Sequence, residues 1–193
     1  MPHPLALQPS VTGILPWWTY QTRSIPGIGV AMVNVANLNF LLAATDVDIA
    51  AGELDLAFRR VYNSQSQHNK NNDDGSGPSV YGNRWTNNLD VRLGWSPAGG
   101  NTGTVSVYTA DGARDDYSCD VASTTACTAP TGVHDLLAPT EIGSGGVACQ
   151  FQWTLQSGVS YIFNAPYQGC GFGAGSYGKL QRIWGRNTSF FLR

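Results

Sequence analysis

The sequence is poor in charged side chains, which make up 12% of its 193 residues, against roughly 25% in an average soluble domain. It contains no run of Lys or Arg, and its formal net charge is −2. Nucleic acids and anionic bilayers both attract clustered cations. We therefore expect no nucleic-acid partner.

A long unbroken apolar segment is also missing. The uncharged run at residues 24–45 is interrupted by Asn34, Asn37 and Asn39, and each of these amides would be costly in lipid. We therefore expect no membrane span. No signal peptide is visible, because the first twenty residues lack a basic start followed by an apolar core. A processed chain, a fragment of a longer one and export without a cleaved signal all remain open.

The sequence contains few groups of residues whose type and spacing would indicate catalysis. His3, His68 and His134 have no other His or Cys at a metal-ligand spacing, and no nucleophile motif occurs. Strand alternation predicts that Asp46 and Asp48 share one face, but any solvated strand face can carry such a pair. The sequence thus predicts a protein that is not an enzyme, with no catalytic, metal or cofactor site.

The four cysteines are even in number but include no C-x-x-C pair, which disfavours zinc; they are Cys119, Cys127, Cys149 and Cys170. One interpretation pairs Cys119 with Cys127 across a polar loop and Cys149 with Cys170. Three pairings are possible, and four reduced, buried thiols are the alternative. An extracellular setting would favour disulfides.

Apolar and polar side chains do alternate along several segments of the chain. In residues 53–59 the apolar side chains fall on one face and the charged ones on the other, as in a half-buried strand. Residues 33–42 alternate in the same way around Ala36 and Asn37, which predicts a hairpin. Many short runs of this kind, broken by Gly, Asn and Pro, predict an all-β fold of antiparallel hairpins. We expect them to form an open, curved sheet or strip with long irregular loops.

Two later segments repeat one pattern. Residues 105–118 and 151–164 align without gaps, with Asp111-Gly112 matching Ser157-Gly158. These dipeptides favour tight hairpin turns, so hairpins are expected near 104–118 and 150–164.

The domain organisation follows from composition. Residues 1–23 are rich in proline and aromatic residues and are interpreted as an N-terminal arm, and residues 24–193 as a single β domain with a polar loop at 64–80. Within the arm, Trp17 and Trp18 are adjacent, and neighbours on an extended chain point to opposite sides. We expect packing against the sheet, with partner binding as the alternative.

Short motifs occur in order between residues 30 and 187. They are V-N-V and N-L at 33–38, T-D at 45–46, R-V-Y-N-S at 60–64, Y-G and W at 81–85, D-G at 111–112, and G-K-L with R-N at 178–187. In this order they resemble the N-terminal region of bacterial RHS (rearrangement hotspot), or YD-repeat, proteins. The resemblance implies an all-β strip that, in full-length relatives, continues into a hollow shell around a toxin or other cargo. No clear Y-D-x-x-G-R unit is present, so the repeat array and the toxin lie outside the resemblance.

These observations favour a secreted or cell-surface structural protein that self-associates through strand edges into a fibre or larger assembly, or joins the remainder of an RHS shell. The expected edges are the first strands and the terminal Phe190-Phe191-Leu192. One alternative is a glycan-binding or adhesive module that uses exposed tryptophans, with candidates Trp17, Trp18, Trp85, Trp95, Trp153 and Trp184. Another is a fragment of a toxin-encapsulating RHS protein.

Overall fold

The structure, a computed structural model, describes residues 13–14, 18–49, 56–66, 82–165, 177–185 and 189–191. Within these residues it contains strands and no helix, which confirms the all-β fold class. The first sheet consists of β1 Tyr20–Ile25, β2 Gly29–Asn34, β3 Phe40–Ile49, β4 Leu56–Asn63 and β5 Trp85–Asn87. The second sheet consists of β6 Arg92–Gly99, β7 Thr102–Tyr108, β8 Arg114–Asp120, β9 Leu136–Ile142, β10 Ala148–Thr154, β11 Ser160–Asn164, β12 Tyr177–Trp184 and β13 Ser189–Phe191.

The first sheet is an antiparallel meander in which the strands follow chain order. A turn at Pro26-Gly27 joins β1 to β2, with the Ile28 N–H donating to the Ile25 carbonyl at 3.0 Å. Gly27 has a φ of 74°, which glycine adopts without steric cost. The hairpin expected between residues 33 and 42 is confirmed by the pairing of β2 with β3.

A β-bulge interrupts the alternation of β3. Thr45 pairs with Arg59 and Val47 pairs with Phe58, so Asp46 is the extra residue. Asp46 consequently binds Arg60 on one face, with N–O distances of 2.5 and 2.8 Å, while Asp48 lies 3.7 Å from Arg59 on the other. The expectation that Asp46 and Asp48 share one face was wrong, because the bulge reverses the phase of the strand.

The second sheet has the order β8-β7-β6-β12-β11-β10-β9, with β13 paired to β12. The hairpins β7–β8 and β10–β11 lie where the repeated pattern places them, and their turns have Gly112 and Gly158 at φ of 79° and 85°. Inward-facing side chains from all the long strands form a single apolar core. Its largest fully buried members are Tyr117, Phe151, Phe163, Leu93, Leu137, Val105 and Val107.

Residues 121–128, called the strap below, join the two outer strands of the second sheet. Thr128 pairs with Ser118 of β8 through two backbone bonds of 2.9 and 3.0 Å. The neighbouring Cys127 N–H donates to the Leu137 carbonyl of β9 at 2.8 Å. A disulfide between Cys119 and Cys127 fixes the strap to β8. The second sheet is therefore nearly closed on itself, whereas the first remains open.

Several expectations fall on parts of the chain outside the described residues. The arm at 1–23 is described only at residues 13–14 and 18–23, and the polar loop at 64–80 only as far as Ser66. Cys149 is disulfide-bonded, but Cys170, its expected partner, lies outside the described residues. The described part of the chain contains no helix long and apolar enough to cross a membrane.

Replacing both Cys119 and Cys127 with alanine should lower the free energy of unfolding by about 2–3 kcal/mol, because the disulfide closes a loop of eight residues. Urea denaturation followed by tryptophan fluorescence measures the change. Thr124→Ala, at an exposed position of the same loop, is the matched control. An unchanged unfolding midpoint in the double variant would contradict a stabilising role for the disulfide.

Candidate functional site: the free edge of the first sheet

β1 forms one outer edge of the first sheet. It pairs with β2 along its whole length, from Tyr20 opposite Asn34 to Ile25 opposite Gly29, and no described strand lies on its other side. Its four central residues are exposed, Arg23 is its only charged residue, and it contains no proline. Charge and proline are the usual means by which edge strands avoid pairing with other chains. β1 is thus a six-residue edge with little protection.

One hydrogen bond sets the direction in which the backbone groups of β1 point. The Val35 N–H donates to the Thr19 carbonyl at 3.0 Å, so Thr19 and Val35 form a hydrogen-bonded pair. Such pairs alternate with non-bonded pairs along an antiparallel ladder. Gln21, Arg23 and Ile25 therefore bond to β2. The N–H and C=O groups of the remaining three residues point away from β2, and these residues are Tyr20, Thr22 and Ser24.

Of the other outer strands, two are bridged by the strap and two are short. β8 and β9 are joined through the strap, and β5 and β13 are only three residues long. Short edges are poor templates for pairing. Of the expected assembly residues, Phe190 and Phe191 belong to β13, which pairs with β12, and Trp18 is partly buried. Trp17 and Leu192 lie outside the described residues.

Polar contacts hold the open sheet to the second sheet. The Asn63 side-chain amide donates to the Asp111 carbonyl at 2.9 Å, and the Thr86 hydroxyl donates to the Ala110 carbonyl at 2.6 Å. Asn63 and Thr86 are fully buried, so these bonds are shielded from water. A Cβ on Gly112 would come within 3.1 Å of Asn63 and Ser66 atoms, which shows how closely the β7–β8 turn approaches β4. Residues 13–14 also reach this turn: the Ile14 N–H donates to an Asp111 carboxylate oxygen at 2.5 Å, and the Tyr20 hydroxyl of β1 donates to the Gly13 carbonyl at 3.0 Å.

The same turn carries a cluster of carboxylates around Asp115. Asp115 is 9% exposed, and its Oδ1 is buried without a hydrogen-bond partner among the described residues. Burial first, and then the negative charge of three neighbours, raise the pKa of Asp115 to about 7; the neighbours are Asp111, Asp135 and Asp116. The buried carboxyl group is therefore largely protonated below neutral pH.

The groups considered for catalysis are dispersed or paired. Arg60 lowers the pKa of Asp46 through its hydrogen bonds to that carboxylate. Asp48 is paired with Arg59. No group of three His, Cys, Asp or Glu side chains within the described ranges is arranged to hold a metal ion. His134 is far in sequence from His3 and His68, which lie outside those ranges.

Two of the tryptophans considered for glycan binding are at least partly exposed, and each lies near another ring or a cation. Trp184 is 46% exposed, and the guanidinium of Arg182 lies 5.0 Å from its ring centre. Trp85 is half-buried at the end of a row of rings on one face of the first sheet, with Tyr62 5.6 Å away. Phe40 completes the row at 6.2 Å from Tyr62.

The remaining tryptophans serve packing. Trp153 is buried, and its indole N–H donates to the Tyr117 hydroxyl at 3.2 Å. Trp95 packs against the core of the second sheet.

The sequence predicted the outer edge formed by β1 only in part. The first strands were expected to be an edge, but Tyr20, Thr22 and Ser24 were assigned to an arm or left unmarked. Tyr20–Ile25 is mostly polar on both faces, so it gives no alternation signal. The available signal was Pro26-Gly27, a turn dipeptide that requires a strand on each side when an alternating segment follows.

Part of the chain is similar to a known family. Residues 31–117 match the family described as Domain of unknown function (DUF6531). The matched region runs from β2 through the β7–β8 hairpin, so it includes the contact between the two sheets. No curated protein and no solved structure matches the chain.

Asp115 should make the protein less stable as pH rises from about 4 to about 7. The folded state retains the Asp115 proton up to its raised pKa of about 7, whereas the unfolded chain loses it near 3.8. Over that interval the folded state binds more protons, so the free energy of unfolding falls. Asp115→Asn should remove this slope and raise stability at pH 8 by about 2–4 kcal/mol.

Urea denaturation at pH 5, 6, 7 and 8 measures the slope for both proteins. Asp120→Asn, an exposed residue on the same strand, is the matched control and should leave it unchanged. A wild-type stability that is flat between pH 5 and pH 8 would mean that Asp115 is not held protonated.

Proposed function

We propose that this chain is a non-enzymatic structural β-module, related to the start of an RHS shell, that is built into a larger assembly by strand addition at β1. The observation that carries the proposal is the outward direction of the Thr22 and Ser24 backbone groups. An added strand would satisfy these groups with main-chain hydrogen bonds, as in other cases of β-augmentation.

The arrangement of the two sheets supports a structural role. The second sheet has its own apolar core and is closed by the strap, so it can act as a rigid base. The first sheet is held to that base at β4 and β5 and presents β1 at the opposite side. The family match supports treating the two as one unit, because residues 31–117 extend across their contact.

An extracellular or cell-surface location is part of the proposal. Cys119 and Cys127 are bridged, and Cys149 is also in a disulfide. Disulfides persist in oxidising compartments and are rare in the cytosol. Either further copies of the chain or the remainder of an RHS shell would supply the added strand.

Glycan binding is the second candidate function. The row formed by Phe40, Tyr62 and Trp85 favours it, because rings on one sheet face beside the Arg60–Asp46 ion pair combine stacking surface with hydrogen-bonding groups. A glycan array probed with the wild type and with Trp85→Ala tests this candidate. Binding that is lost in the variant supports it, and an array without a signal removes it.

Thr22→Pro should abolish assembly while leaving the fold intact. Proline removes the outward Thr22 N–H and does not touch the β1–β2 ladder, because the Thr22 N–H makes no bond to β2. Thr22→Val keeps the N–H and is the matched control. Multi-angle light scattering over a range of concentrations should show association in the wild type and in Thr22→Val only. A wild type that stays monomeric at every concentration would overturn pairing between copies and leave the remainder of an RHS shell as the source of the added strand.

A further inference from the structure

Strands β9 to β12 place a line of side chains, called the outer row below, across the outer face of the second sheet. From β12 to β9, the residues paired directly across these strands are Trp184, Ser160, Thr154 and Leu136. Directly paired residues share a face. Their face is the outer one, because Trp153, the neighbour of Thr154 in β10, belongs to the apolar core. Adjacent strands are about 4.8 Å apart, so the outer row is about 14 Å long.

A network of uncharged hydrogen-bonding groups fills the middle of the outer row. Gln152 lies two residues before Thr154 and therefore shares its face. The Gln152 side-chain amide donates to the Ser160 hydroxyl at 3.0 Å and to the Thr154 hydroxyl at 3.1 Å, and the two hydroxyl oxygens are 3.0 Å apart. The bond between the two hydroxyls uses only one of their hydrogens. The second hydrogen and the Gln152 amide oxygen can therefore bond to a ligand.

The two ends of the outer row are apolar and exposed. Trp184 is 46% exposed and Leu136 is 51% exposed. The Arg182 guanidinium lies 5.0 Å from the centre of the Trp184 ring, and this contact restrains the orientation of the indole. A single exposed apolar side chain is ordinary on a protein surface. Here an aromatic ring, a polar network and a second apolar side chain lie in one line on a sheet face, which makes a flat surface of mixed chemistry.

This combination matches the chemistry of a sugar chain. A pyranose ring has an apolar C–H face, which stacks on an aromatic ring, and a rim of hydroxyl groups, which donate and accept hydrogen bonds. We propose that the outer row binds an uncharged polysaccharide, with one sugar ring stacked on Trp184 and the next bonded to Gln152 and Thr154. The exposed Leu136 extends the contact along the chain.

Charge decides the class of saccharide. Acidic polysaccharides carry carboxylate or sulfate groups, which proteins bind through charge-assisted hydrogen bonds from Arg and Lys. The outer row and its network contain neither residue. The site is separate from Phe40, Tyr62 and Trp85, which lie on the first sheet, and it does not depend on assembly through β1.

Isothermal titration calorimetry with hexasaccharides tests the proposal. The uncharged probes are cellohexaose, maltohexaose and hexa-N-acetylchitohexaose, and the acidic probe is a hexamer of galacturonic acid. The wild type should bind at least one uncharged probe, and Trp184→Ala should weaken that binding at least tenfold. Thr154→Val removes a hydroxyl at nearly constant shape and should weaken it by a smaller factor. Trp85→Ala, on the first sheet, is the matched control and should bind as the wild type does.

Urea denaturation of each variant checks that the fold is retained. A wild type that binds none of the uncharged probes would overturn the proposal. Binding that is lost in Trp85→Ala and kept in Trp184→Ala would also overturn it, and would support the second candidate function on the first sheet instead. Binding of the galacturonic acid hexamer alone would overturn the uncharged class. None of these results bears on assembly through β1, which light scattering tests separately.

Discussion

The backbone groups of an all-β chain must each find a hydrogen-bond partner, and most of this structure is organised by that requirement. Inside a sheet, neighbouring strands meet it. At the outer strands of the second sheet, the strap meets it, with Thr128 bonded to β8 and Cys127 bonded to β9. Along β1, Thr22 and Ser24 direct their N–H and C=O groups away from β2, and no described strand lies on that side. We therefore propose assembly at the outer strand of the first sheet and not at the nearly closed second sheet.

Hydrogen bonds from buried polar side chains connect the two sheets. Buried Asn63 and Thr86 bond to backbone carbonyls of the β7–β8 turn, so the geometry of that turn determines how the open sheet is held. The buried Asp115 lies just beyond the turn, among other carboxylates, and burial raises its pKa. A buried carboxyl group with an oxygen that accepts no hydrogen bond lowers the free energy of unfolding, and the ionised form lowers it more than the protonated form. The β7–β8 turn and the neighbouring Asp115 therefore affect both the stability of the protein and the attachment of the first sheet to the second.

Much of the fold could be predicted from the sequence, because strand alternation is a local signal. It identified the β2–β3 hairpin and the hairpins around Gly112 and Gly158, and it identified the all-β class. It failed at Asp46, since a bulge is set by how two strands fit together and leaves no mark in the alternation of one of them. The Cys119–Cys127 disulfide of the strap was among the pairings considered, but the backbone bonds of the strap to β8 and β9 were not predicted, since residues 121–128 show no alternation. The edge strand β1 was predicted only in part, because a strand that is polar on both faces gives no alternation signal.

Amide hydrogen exchange across β1, measured by NMR at increasing protein concentration, tests the central claim most directly. The account predicts alternation at high dilution: the Gln21 and Arg23 amides, bonded to β2, are protected, while the Thr22 and Ser24 amides exchange rapidly. Protection of the Thr22 and Ser24 amides should then rise with concentration as β1 acquires a partner. Protection of all four amides at every concentration would mean that the edge is already covered within one chain, and would contradict the account.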